Sequence, residues 1–385
     1  MKKQMKLSAL LLCAVMLAGF IAGCKAPVKT LTEEDKNRID LRFNEMMNDR
    51  GFSGAVYAVY QGEEIFDGGA GMATADEVCT TKTAFGVASV TKQFTASSIM
   101  QLYEAGQLDL KDTLRKYFSD YQYCDDITVE QLLYQRSGIP DYSVDNRNGK
   151  VVVSCDGSEE RGIVISDKAT AEENRKIIRE FFLSKELLFE PGKRFDYSDA
   201  NYALLAEIVA QVSGMEYHEY VRQHIFDPLG MVHSAFIDDF DDSIGATVAQ
   251  PDLSEFKKDY YPYKGVEYGC GDILTTPKDL YLWYRGIIAG EVVGEDSLKV
   301  MTKNYSSADE LGYGYGLMIN DEGDTKVVYH YGYIPSFYSA VFYVPEYDFF
   351  LTVLSNTPDG NPQGMAADMA VYLGSAIGLK LVGID

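Results

Sequence analysis

Past its N-terminal segment, the 385-residue sequence lacks any apolar run of eighteen residues or more. Nothing in the body of the chain therefore reads as a membrane-spanning helix. It is also short of basic residues: 35 Lys and Arg stand against 58 Asp and Glu, a formal charge of −23. A surface that acidic repels phosphate backbones and argues against nucleic acid as a partner. No Cys-x-x-Cys pair occurs, which excludes the usual redox motif and the zinc ribbon. No P-loop or dinucleotide fingerprint precedes a helix, so no nucleotide cofactor is expected. Histidine occurs only four times. His218 and His224 are six apart and do not share a helix face as a zinc pair would, so no metal is expected either. What the sequence does have is 46% hydrophobic and 12% aromatic residues, enough for a large core.

The first 23 residues divide like an export signal. Lys2, Lys3 and Lys6 precede an uncharged, mostly apolar stretch from Leu7 to Ile21. The stretch ends in Ile21-Ala22-Gly23-Cys24, which resembles a bacterial lipobox, with Cys24 the lipidated residue; a plain secretory signal or an uncleaved anchor is the alternative. Loss of the three lysines takes the charge from −23 to −26. The expected organisation is a signal over 1–23, a lipidated Cys24 and spacer over 24–36, and one domain over 37–385. That places the protein outside the cytoplasm, held to the membrane by lipid alone. Cys79, Cys124, Cys155 and Cys270 remain in the mature chain, and the spacing does not choose between free thiols and any of three pairings.

In the body, residues 37–48 put Ile39, Phe43, Met46 and Met47 on one helix face. Phe52 to Tyr60, a Gln61-Gly62 turn, and Glu63 to Phe66 read as a hairpin. From Ser89 to Gly290 the pattern is mainly helical. Thr128 opens a capping box with Gln131, Thr276 caps before Pro277, and Gly214 stops the helix that carries Leu204 to Val212. Strands return at Gly314 to Ile319, Lys326 to His330, Tyr338 to Val344 and Phe349 to Ser355, and Ala366 to Ile377 closes the chain as a helix. This order predicts an α+β fold. An antiparallel sheet made from both ends of the chain is flanked by helices, with a large, mainly helical second lobe.

Ser89-Val90-Thr91-Lys92 stands at the start of an amphipathic helix. Residues three apart share a face, and a desolvated lysine has a lowered pKa and can take a serine's proton. The segment Phe85-Gly-Val-Ala-Ser89-Val-Thr-Lys92-Gln-Phe94 resembles the nucleophile segment of serine β-lactamases and penicillin-binding proteins, especially the branch with class C enzymes, esterases and D-aminopeptidases. Five further segments match that family in order. They are Leu132 to Pro140, Pro191 to Asp199, Pro228 to Met231, Gly271 to Thr276, and His330-Tyr331-Gly332. The resemblance covers roughly residues 37–377 and implies a β-lactamase-like fold.

By the same resemblance Ser89 is the acylated nucleophile, Lys92 its base or relay, and Tyr197 the proton shuttle, with Lys92 supplying the charge that tyrosine needs. The backbone N–H groups of Ser89 and Tyr333, the latter following Gly332, form the oxyanion hole. Two positions depart from the pattern. Asp199 replaces an asparagine; a carboxylate there raises the pKa of Lys92, or simply caps the next helix. His330 replaces a lysine and is mostly neutral at pH 7, which weakens recognition of a substrate carboxylate. Lys150 to Cys155 with Gly162 to Ser166, and Asp259 to Lys264, are candidate cleft rims. The implied function is a lipid-anchored serine hydrolase of the bacterial envelope, cleaving peptidoglycan-type or D-amino-acid amides or small esters without a cofactor. A catalytically weak binding protein and a true β-lactamase are the alternatives. Poor β-lactam turnover is expected; hydrolysis of a chromogenic cephalosporin at a rate typical of a resistance enzyme would overturn it.

Overall fold

The computed structural model describes residues 29–147, 150–155, 163–166, 168–239, 244–250, 264–307, 310–322, 325–335 and 337–381. The signal, Cys24 and all of the Asp259 to Lys264 rim except Lys264 lie outside the described residues.

Helix α1 spans Glu33–Asp49. It begins four residues earlier than the apolar spacing suggests, because Thr32 and Asp35 form a capping box and three acids fill the first turn. The spacer expected through Lys36 therefore ends at Thr32. Even before it the chain is held: Lys29 N–H donates to Ile377 O at 3.1 Å.

Strands β1 (Gly54–Tyr60) and β2 (Glu63–Ala70) form the hairpin. The short β3 (Phe85–Gly86) leads into a 3-10 turn at Ala88–Val90 and then α2 (Thr91–Glu104). After α3 (Val129–Leu133) come β4 (Tyr142–Arg147), β5 (Lys150–Cys155) and β6 (Ile163–Ile165), an antiparallel three-stranded sheet. The expected hairpin is present there and has gained a strand. Helices α4 (Ala171–Leu183), α5 (Asp199–Ser213) and α6 (Tyr217–Val221) follow. Strands β7 (Ala235–Phe236) and β8 (Ile273–Thr275) join β3 in a second small sheet. Helices α7 (Pro277–Ile288) and α8 (Glu295–Met301) complete the insertion. The lobe is thus less purely helical than its periodicity suggests.

The chain ends with β9 (Met318–Asn320), β10 (Val327–Ile334), β11 (Phe337–Val344), β12 (Phe349–Ser355) and α9 (Pro362–Ile377). The strand expected from Gly314 begins only at Met318. Gly316 adopts φ +72° and approaches the Lys92 carbonyl, where any Cβ would collide, so Tyr313 to Gly316 turn instead of extending.

The six-stranded sheet runs β2-β1-β12-β11-β10-β9, and its neighbours are antiparallel. Strand β1 is buried along its whole length, as a strand covered on both faces must be. Its alternate residues divide between two cores. Val56, Ala58 and Tyr60 pack with α1 and α9, while Ala55, Tyr57 and Val59 join the core of the inserted lobe. Cys79, Cys124 and Cys270 are buried free thiols, and Cys155 is buried as well. Phe43 is fully buried in the α1–α9 layer and meets Phe66 edge-on at 5.1 Å. Phe43→Ala is expected to lower stability by about 3–5 kcal/mol in urea unfolding.

Candidate active site

Every residue from Thr83 to Met100 is buried except Ser89, which is half-buried. It sits in the Ala88–Val90 turn, where Ala88 is held at φ +49°. A left-handed non-glycine residue is strained and persists only where its surroundings impose it. Here Val87 N–H donates to Ile273 O, and Ser339 Oγ donates to Val87 O at 2.7 Å. The turn is thereby held between β8 and β11.

Lys92, the second residue of α2, is fully buried. Its Nζ donates to Ser89 Oγ at 3.1 Å and to Cys270 O at 2.9 Å, and it pairs with Asp199 Oδ1 at 2.5 Å. The Ser89 hydroxyl and the Cys270 carbonyl accept from Lys92, and the Asp199 carboxylate pairs with its charge; a neutral amine would lose that pairing. The electrostatics agree. Burial works against the charge, but Asp199 outweighs it and the pKa of Lys92 is raised. This corrects the expectation of a lowered lysine pKa, and the carboxylate of Asp199 is the reason.

Asp199 is the first residue of α5, and Ser198 occupies the cap position. The capping role expected as an alternative for Asp199 is therefore not realised. Its backbone N–H donates to Asp141 Oδ1 at 2.7 Å. Burial first, and then the charge of Asp199, raise the pKa of both Asp141 and Glu267. Asp199, Glu267 and Cys270 bring donor atoms within 4.8 Å of one another, but Lys92 already serves Asp199 as its cation.

Tyr197 is half-buried, with Lys92 Nζ 4.9 Å from its ring centre and Tyr313 edge-on at 5.9 Å. Its hydroxyl has no hydrogen-bond partner among the described residues. Burial and then Asp199 push its pKa well up, with the Ser89 hydroxyl acting against them. The lowering expected from Lys92 does not prevail, because Asp199 compensates that charge.

His330, on β10, is fully buried. Its Nδ1 lies 2.6 Å from Tyr331 O and its Nε2 3.3 Å from Tyr313 Oη. A carbonyl only accepts, so Nδ1 carries the proton and Nε2 accepts from Tyr313. Burial and then Lys92 lower its pKa to about 3, so the ring is neutral. Strand β9 pairs with β10 only as far as Tyr329; beyond it β10 packs against the Ala88–Val90 turn. Gly332 lies in that seam, where a Cβ would collide with Val87 O and Ser339 Oγ. Tyr333, half exposed, follows on the same strand.

The structure brings Ser89, Lys92, Tyr197, Asp199, His330 and Gly332 together in one cluster, with Tyr333 next along the strand that carries His330 and Gly332. Sequence reasoning missed the Cys270 carbonyl, Asp141, Glu267, Tyr313 and Gln135. Gln135 Oε1 accepts from Ser198 N–H and from Asn201 Nδ2, and Ser137 Oγ donates to Asn201 Oδ1. The Leu132 to Pro140 segment thus holds the Tyr197 segment in place. For the carbonyl, the available signal was the glycine on either side of Cys270: Gly269 has φ +71° and packs tightly on Ala206.

A family model described as Beta-lactamase matches residues 39–375. The chain belongs to this family. It is 29% identical over 283 residues, 72% of its length, to PbpX of Bacillus subtilis strain 168, which is named as a penicillin-binding protein. It spans just under two thirds of the curated relatives it matches, 65% of PbpX and 64% of Protein flp from Staphylococcus aureus. Among solved structures, the octameric penicillin-binding protein homologue from Pyrococcus abyssi superposes with a TM-score of 0.70 at 28% identity. That match covers 89% of this chain and 78% of that one. The D-amino acid amidase of Ochrobactrum anthropi SV3 shares the fold, with a TM-score of 0.69 at 22% identity over 90% of this chain and 99% of that one.

Gly332→Ala is expected to force β10 away from the Ala88–Val90 turn and cost about 1–3 kcal/mol, measured by urea unfolding.

Proposed function

We propose that the protein is a serine hydrolase that cleaves an amide or ester through an acyl-enzyme on Ser89. The observation that carries this is a half-exposed hydroxyl, alone in an otherwise buried segment, 3.1 Å from a buried lysine. The Ser89 hydroxyl attacks the substrate carbonyl and its proton passes to Lys92 in the amine form. The oxyanion is held by the N–H groups of Ser89 and Tyr333. Tyr197 gives a proton to the leaving group and recovers it from the incoming water. Asp199 keeps Lys92 charged between turnovers, and neutral His330 and the Gly332 seam shape the strand side of the cleft. We further propose lipidation at Cys24, an address on the outer face of a bacterial membrane, and peptidoglycan-type or D-amino-acid amides as substrates, with small esters next. Penicillin-binding relatives and the amidase fold support that choice, and the absence of a cation at position 330 favours those amides and esters that present no free carboxylate to it.

One observation favours a second reading, a binding protein with little turnover: Lys92 is paired with Asp199, and that carboxylate opposes release of the proton.

Intact mass after exposure to a fluorophosphonate, and separately to penicillin, tests the two. An adduct absent from Ser89→Ala is expected; no adduct from either reagent on folded protein favours the binding reading. A pH series tests the role of Lys92. The amine form is the base and the lysine pKa is raised, so the acylation rate climbs with pH through the neutral range. Asp199→Asn removes the anion, and burial then pulls the lysine pKa down. The rise moves to lower pH, and the rate at pH 7 increases by about tenfold or more.

A further inference from the structure

Beside α2, where Thr95 meets Tyr217 and Gly269, lies a buried ion pair that the reaction above does not use. His218 Nε2 is 2.8 Å from Asp272 Oδ2, and the residues are 5% and 2% exposed. The imidazole stacks on Phe236 at 3.9 Å. Charged groups from every neighbouring element face it. Asp239 and Glu216 approach Nδ1 at 3.6 and 4.0 Å, and Arg222 and Arg175 pair with those two carboxylates in turn. Tyr268 packs on the ring, and Asp238 accepts from Gly265 N–H. Burial disfavours the imidazolium, but Asp239 and Asp272 outweigh it and keep it charged up to about pH 10.

Asp272 is also the anchor of a tight turn. Its Oδ2 accepts from Gly269 N–H at 3.2 Å, while Oδ1 is buried with no partner among the described residues. Within the turn, Cys270 N–H and Gly271 N–H both donate to Glu267 O. The turn lies along the nucleophile segment. Thr95 Oγ1 donates to Gly269 O, Lys92 Nζ to Cys270 O, Ile273 N–H to Thr91 Oγ1, and Val87 N–H to Ile273 O. The Cys270 carbonyl, which with the Ser89 hydroxyl accepts from the Lys92 ammonium, is thus set by a turn that Asp272 holds and His218 holds in turn.

We infer that the His218–Asp272 pair is a positioning device for the hydrolytic site: it fixes the Glu267–Ile273 turn so that Cys270 O faces Lys92 Nζ. The inference rests on the Ser89 reading. The chemistry asked of the pair is electrostatic and remote; neither residue touches the reacting atoms. His218→Gln keeps a donor toward Asp272 and removes the positive charge. Asp272 is then an uncompensated buried anion two residues from the carbonyl that accepts from Lys92, and the lysine holds its proton more tightly. Asp272→Asn is isosteric, keeps the acceptor for Gly269 and removes the negative charge, so the lysine releases its proton more readily.

The test is phosphonylation of Ser89 by a fluorophosphonate, followed by intact mass from about pH 6 to 10, in the Asp199→Asn background, whose lower lysine pKa brings the plateau into that range, with unfolding measured on each variant. The rise of rate with pH is expected to move up by about half a unit or more in His218→Gln and down in Asp272→Asn. The plateau rate is expected to fall by about tenfold in both, as the carbonyl loses its alignment. A merely structural role lowers stability without opposite shifts. If His218→Gln does not fold, the downward shift and reduced plateau in Asp272→Asn carry the test. Folded variants with the rates of the Asp199→Asn background and an unmoved profile overturn the inference alone. A wild-type protein that takes no adduct overturns the Ser89 reading and this inference together.

Discussion

A single buried ammonium organises this protein. Lys92 sits in a helix with no solvent on any side, and such a charge costs several kcal/mol unless it is paired and fully hydrogen-bonded. Its three partners come from separate parts of the chain: Ser89 from the preceding turn, Asp199 from the start of α5, and Cys270 from a turn 178 residues away. Satisfying one side chain therefore fixes how the nucleophile turn, the Tyr197 segment and the β8 approach meet. The family asparagine would ask less of its surroundings, since a neutral partner does not oblige the lysine to stay charged. With an aspartate, attraction holds the site together more firmly and makes the proton harder to remove.

The large sheet answers the same problem from the other side. Its strand β10 is paired by β9 for only its first residues, and the freed edge is given to the Ser89 turn. Gly332 makes that approach possible because its missing side chain lets two backbones meet. The neutral imidazole of His330 is compatible with a buried position beside Lys92, where a second cation would repel the first. Burial of position 330 and the identity of its residue are thus one constraint, and substitution of the family lysine changes the local charge by a full unit.

Much of this could be read from the residues. The β1–β2 hairpin, the capping boxes and the Gly214 stop follow from short-range chemistry that does not depend on partners. Ser89, Lys92 and Tyr197 were legible because motif context singled them out of many serines, lysines and tyrosines. The electrostatic outcome was not. Whether a lysine's pKa falls through burial or rises through pairing depends on where Asp199 points, and nothing local to Lys92 encodes that. Cys270 contributes a backbone carbonyl, which any residue could supply, so its identity carried no signal. Asp141 and Glu267 are ordinary acids in sequence, notable only because the fold buries them beside Asp199. The early start of α1 and the late start of β9 were misjudged for simpler reasons: a cap outweighed the apolar spacing, and one left-handed glycine ended an extended run.

The pairing of β1 with β12 joins Gly54 to Ser355, nearly the two ends of the described chain. The hairpin that comes first along the chain has no partner on its inner edge until the last strand is available. Contacts of such long range are slow to form, because the loop between them must be closed before they contribute stability. For much of its synthesis the chain therefore carries an apolar strand with an open edge, a ready template for pairing with another molecule. Completion of the polypeptide, rather than formation of any one element, commits it to the native sheet.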